Sequence, residues 1–136
     1  GLFVFYYLAK FIRRLLLAWR FSRARRGETQ ARKLLKKHGY RILAEQEEVN
    51  FTYLLDHKVI RQKIVLDFRV ERDGQIYVAE VKTGEVAADI RNSATRRQLL
   101  EYAVVTGTTE VLLIDIEKGK ISHIEFALRG IHFAHK

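Results

Sequence analysis

The sequence predicts one α/β domain carrying a basic helix at its N-terminus, and three observations predict it. Two strand-like runs, residues 64–72 and 75–82, are rich in β-branched and aromatic side chains and flank Asp73-Gly74. That dipeptide is among the strongest short hairpin signals. A helical stretch and two further strand-like runs follow, so strands and helices alternate along the chain. The length of 136 residues fits a single domain, with 48% hydrophobic residues to build a core.

Taken in order, the chain opens with a segment of two faces. Leu8, Phe11, Ile12, Leu15 and Trp19 recur at helical spacing, while Lys10, Arg13, Arg14 and Arg20 fall opposite. Residues 1–26 are read as this basic amphipathic helix, residues 27–128 as the domain and residues 129–136 as a tail. Residues 28–38 form a short helix with Ala31, Leu34, Leu35 and His38 on one face and Gly39 as its stop. Residues 41–48 and 49–59 are strand-like, with a hairpin or bulge between them whose place is open. After the hairpin of residues 64–82, residues 83–92 form a connecting loop. Asn92 or Ser93 caps a helix that runs to about Val105 and stops at Gly107. Residues 110–116 and 120–126 supply two more strands around Glu117-Lys118-Gly119.

Charge is placed unevenly. Residues 1–40 hold 11 Lys or Arg against one acid, Glu28, whereas residues 41–136 hold 14 against 15. The anion-attracting surface is therefore the N-terminal segment, and the domain is close to neutral. Nine uncharged residues before Lys10 fall short of the roughly 20 that a membrane span needs. A helix lying in an anionic membrane surface at the cytoplasmic side fits better; packing on a partner or on a second copy, and contact with DNA, are the other readings. The chain starts at Gly1 without Met, so either an initiator was removed or a segment precedes it; in the second case Leu2 to Ala9 would end a transmembrane helix. There is no cysteine, which excludes disulfides and thiolate metal sites, and the five histidines show no metal-ligand spacing.

Within the hairpin, a two-residue loop at Asp73-Gly74 sets Asp67 directly opposite Glu80, with Lys82 diagonal to Asp67 on the same face. Ile64, Leu66, Phe68, Val70, Tyr77, Ala79 and Val81 then share the other face, so the apolar pattern supports the register independently. Opposed carboxylates roughly 5 Å apart repel. A hard divalent cation such as Mg²⁺ or Mn²⁺, held by both, would offset that repulsion.

Asp67, twelve residues, then Glu80-Val81-Lys82 resembles the active-site signature of the PD-(D/E)XK nuclease superfamily, and Gln98-x-x-x-Tyr102 resembles the added motif of its RecB-like branch. The likeness covers about residues 27–126. Leu66 stands where many members have proline. The resemblance implies a restriction-endonuclease-like αβββαβ core, in which a mixed central β-sheet is flanked by helices. It further implies a deoxyribonuclease that uses Mg²⁺ or Mn²⁺, with DNA as partner and RNA still open. Asp67 and Glu80 would hold the metal, the main-chain carbonyl of Val81 and the Glu28 side chain would add ligands, and Lys82 would act on the attacking water. Gln98 would steady Lys82 or the nucleophile, Tyr102 would contact nucleic acid, and Arg91, Arg96 and Arg97 would meet phosphates.

Each residue also has a bland reading. Asp67 could pair with Arg69 or Arg61, Glu80 and Lys82 could be a solvated strand face, and Gln98 and Tyr102 an ordinary amide and a core tyrosine. Glu28 at a helix start would be favoured by the helix dipole alone. A nuclease fold kept as a membrane-tethered binding or assembly module without turnover is the alternative function.

Overall fold

The computed structural model describes residues 1–127, and the side chains of all of these except 20–26. The expected tail, residues 129–136, lies outside the described residues. The order is α1 (Leu2–Lys37), β1 (Arg41–Leu55), β2 (Lys58–Arg72), β3 (Gln75–Lys82), α2 (Ser93–Thr106), β4 (Glu110–Asp115) and β5 (Lys120–Glu125). The five strands form one sheet in sequence order, antiparallel except for β3 and β4, which run parallel. A parallel pair cannot be joined by a tight turn, so α2 makes the crossover. The fold is a mixed α/β architecture with helices on both faces of the sheet, as the sequence predicts.

Helix α1 covers one face. Its Ala31 and Leu35 are fully buried against Phe68, Val70, Tyr77, Ala79, Leu112 and Ile114. Helix α2 covers the other, where Leu99, Tyr102 and Ala103 meet Ile64, Leu66, Val78, Val111 and Leu113. Strand β4 contributes to both clusters and is buried along its whole length. That explains its unbroken apolar run, Val111 to Ile114, in place of alternation.

Three expectations change. The basic helix and the short helix are one continuous α1 that runs through Gly27. Good helix formers on either side outweigh a glycine that costs about 1 kcal/mol. Glu28 is consequently an interior helical residue, and the dipole argument for it fails. The second change concerns the two faces expected of the N-terminal half of α1: Leu8, Phe11, Ile12, Leu15 and Trp19 are exposed, and so are Phe3 and Leu17 on the side expected to be polar. Among the described residues no helix is long and apolar enough to cross a membrane. Third, β1 continues unbroken to Leu55, and the hairpin turn to β2 is Asp56-His57, both at positive φ (48° and 68°).

The Asp73-Gly74 hairpin forms with φ of 53° and 78°, and Phe68 faces Ala79 and Val70 faces Tyr77 in the expected register. The helix cap is Asn92, whose side chain accepts the N–H of Thr95, and Gly107 ends α2 at φ 72°.

Candidate active site

The site forms where β2 and β3 part. Their backbone ladder ends at Phe68 and Ala79. One step further, the Asp67 side chain replaces the ladder: its Oδ2 accepts the N–H of Val81 at 2.9 Å. Strand β2 also turns there, because Phe68 belongs to the cluster under α1 while Leu66 and Ile64 belong to the cluster under α2. The expectation of one continuous apolar face from Ile64 to Val70 is corrected by that turn. Tyr102 of α2 closes the gap, its hydroxyl donating to the Val65 carbonyl at 2.9 Å. A carbonyl stripped of its strand partner would otherwise be left unsatisfied.

Glu80, Lys82, Gln98 and Tyr102 form a chain across this gap. Gln98 Nε2 donates to Glu80 Oε1 at 3.1 Å and to the Tyr102 hydroxyl at 2.9 Å. Lys82 Nζ stands 3.5 Å from the same Glu80 oxygen. Glu80 is only 5% exposed, and its Oε2 is buried without a hydrogen-bond partner. Burial first and the neighbouring Asp67 carboxylate second push the Glu80 carboxyl up to about 8, with Lys82 opposing. Burial likewise raises the Tyr102 phenol, and the Glu80 charge adds to it. An acid so placed is destabilised as an anion unless positive charge arrives.

Glu28 reaches the same place from α1, through a residue that sequence reasoning missed. Gln46 of β1 donates from Nε2 to Glu28 Oε1 at 3.3 Å and to Asp67 Oδ1 at 3.1 Å. Its backbone sits at φ 49°, beyond the shift in the β1–β2 register between Ile42 and Ala44. The signal available was the polar run Glu45 to Glu48, where alternation between faces stops. Arg32 stands 3.9 Å from Glu28 and also pairs with Glu45.

Not every expected residue joins. Tyr102 is 4% exposed with its hydroxyl engaged on both sides, so it braces the site from inside and has no surface to offer nucleic acid. Gln98, expected to steady Lys82 or the nucleophile, donates to Glu80, the acid that Lys82 also approaches. Arg91 pairs with Asp89 at 2.8 Å while its side chain stays exposed, and that pairing holds the Asp89 carboxyl down at about 2. Arg96 donates to the Arg91 carbonyl, and Arg97 is exposed at the start of α2.

Among the described residues no three acidic or histidine side chains converge into a ready metal cage. The donor set is narrower: the carboxylates of Asp67 and Glu80, with Glu28 one amide away. The buried, unpartnered Glu80 Oε2 fits a hard cation, since Mg²⁺ commonly takes one or two carboxylates and completes its shell with water and phosphate oxygens.

Neither a family model nor a curated protein matches the sequence. Among solved structures, the chain is similar to the crystal structure of SSO0001, with a TM-score of 0.56 and 17% identity, over 74% of this chain and 50% of that one. The match thus spans half the length of SSO0001. At that identity the likeness bears on the fold alone.

Proposed function

We propose that this protein is a metal-dependent nuclease that hydrolyses phosphodiester bonds in DNA, with Asp67 and Glu80 holding Mg²⁺ or Mn²⁺. The observation that carries the reading is the convergence of Asp67, Glu80, Lys82 and Gln98 at the gap between β2 and β3. Their spacing in the sequence resembles the PD-(D/E)XK nuclease pattern, and that pattern requires such a convergence. The bound ion would supply an activated water and neutralise charge on the phosphate. The chain's own groups do the rest. Val81 N–H fixes one Asp67 oxygen, Gln98 fixes one Glu80 oxygen, and the Lys82 ammonium sits beside Glu80, where it can orient water and meet the charge that builds on phosphate. The Val81 main-chain carbonyl is a further candidate ligand, and Arg97 a candidate phosphate contact.

The test is cleavage of short DNA by the full chain with Mg²⁺, with Mn²⁺ and with EDTA. Activity should require a divalent cation and should vanish in Asp67→Ala and in Lys82→Ala while both variants stay folded. Cleavage in EDTA, or full activity in Lys82→Ala, would sink the mechanism. We further infer that the exposed apolar and cationic first half of α1 lies in an anionic membrane surface at the cytoplasmic side.

A further inference from the structure

We propose that Gln46 is a positioning residue of the acidic centre: its amide couples Glu28 on α1 to Asp67 on β2, so that Glu28 aids cation binding only through Gln46. The proposal rests on the reading of Asp67 and Glu80 as cation ligands. A primary amide nitrogen carries two protons, and here one is directed to each carboxylate, at 3.3 Å to Glu28 Oε1 and 3.1 Å to Asp67 Oδ1. Among the described residues no other is bonded to both acids. Either acid alone could turn toward solvent or, for Glu28, toward Arg32. A neutral amide suits this position, because it draws two like charges together without adding a third charge to a centre that already holds Glu80.

The backbone supports the assignment independently. Gln46 sits at φ 49°, in the left-handed region, between Glu45 and Glu47, which pair with Phe68 and Leu66 in one register. A side chain other than glycine is strained there, and such strain persists where the surroundings hold it. What holds it here is the pair of carboxylates that the amide reaches. Partners that orient a metal ligand without touching the metal typically change metal affinity by about 10–100-fold when they are lost.

The experiment measures Mn²⁺ affinity of the full chain by electron paramagnetic resonance of free Mn²⁺, in the wild type, Gln46→Leu, Gln46→Gly, Glu28→Gln and each Gln46 variant combined with Glu28→Gln. Unfolding in EDTA is followed in parallel. Gln46→Gly relieves the positive φ and lacks the amide, so it should unfold later than Gln46→Leu yet bind Mn²⁺ as weakly, roughly tenfold below the wild type. Adding Glu28→Gln to either variant should weaken binding by less than twofold, because the coupling is already gone. Affinity within twofold of the wild type in Gln46→Gly overturns the proposal. So does a Glu28→Gln loss that is undiminished in the Gln46 variants, since Glu28 would then act by itself. If the wild type binds no better than Asp67→Ala, the cation reading beneath fails, which is a different result from a tight wild type indifferent to Gln46.

Discussion

At the residue scale, Glu80 joins stability to function. Burial and Asp67 disfavour the anion and push its carboxyl up to about 8 in the folded chain, from the ordinary 4.5 of a free glutamate. A raised acid means that the folded state holds a proton the unfolded state has released. Stability from this group is thus fully present below about 4.5 and is lost as pH rises toward 8. In EDTA, the wild type should lose melting temperature across that window relative to Glu80→Gln, whose amide cannot ionise. Parallel melting curves for the two proteins from pH 4.5 to 8 would show that Glu80 ionises freely. Adding Mg²⁺ should reverse the loss most at the alkaline end, where the anion is present to bind it. Tyr102 makes a second case. Removing its hydroxyl in Tyr102→Phe leaves the Val65 carbonyl without its donor and Gln98 without one acceptor. A loss of about 1–3 kcal/mol in urea unfolding is expected. A stability equal to the wild type would mean that water replaces the hydroxyl and that the brace is dispensable.

At the scale of elements, some of the fold was legible and some was not, for identifiable reasons. The Asp73-Gly74 hairpin was legible because a two-residue turn at positive φ fixes the register, and the alternation of Phe68, Val70, Tyr77 and Ala79 agrees with it. The same turn geometry at Asp56-His57 left no glycine to mark it, so the end of β1 could not be read. That Asp67, Glu80 and Lys82 come together was legible from the hairpin register, and that Gln98 joins them from the resemblance alone. Gln46 was not, because its contacts depend on a left-handed backbone and on two acids far away in the chain. The boundary read between residues 26 and 27, where the basic helix was to end and the domain to begin, turned out to lie inside α1. Nothing stands within 4 Å of a Cβ added at Gly27. Gly27→Ala should therefore raise helix content and stabilise the chain by about 0.5–1 kcal/mol. A lower melting temperature in Gly27→Ala would show that the helix needs a pliant point at this place.

At the scale of the whole molecule, the chain is built of two parts with opposite surfaces joined by one helix. The last turns of α1 are fixed to the sheet by Ala31 and Leu35, while Leu2 to Trp19 exposes apolar side chains on every face beside Lys10, Arg13 and Arg14. An exposed apolar surface of this extent calls for a covering phase or partner. The charge supports the membrane surface proposed above, because residues 1–40 carry 11 bases against one acid, and an anionic surface contributes on the order of 1 kcal/mol for each base close to it. Such a placement would hold the proposed nuclease domain near the membrane, at the end of α1. The full chain should sediment with vesicles containing phosphatidylserine at low salt and should leave neutral vesicles in the supernatant. Reversing Lys10, Arg13 and Arg14 to Glu keeps the helix and its apolar residues but removes the attraction, so the variant should stay in solution with its divalent-cation-dependent cleavage intact. If the reversed variant still sediments, burial of the apolar faces alone accounts for binding. If the wild type ignores vesicles and instead forms dimers that the reversal breaks, this half of α1 is an interface between copies and the membrane reading is wrong.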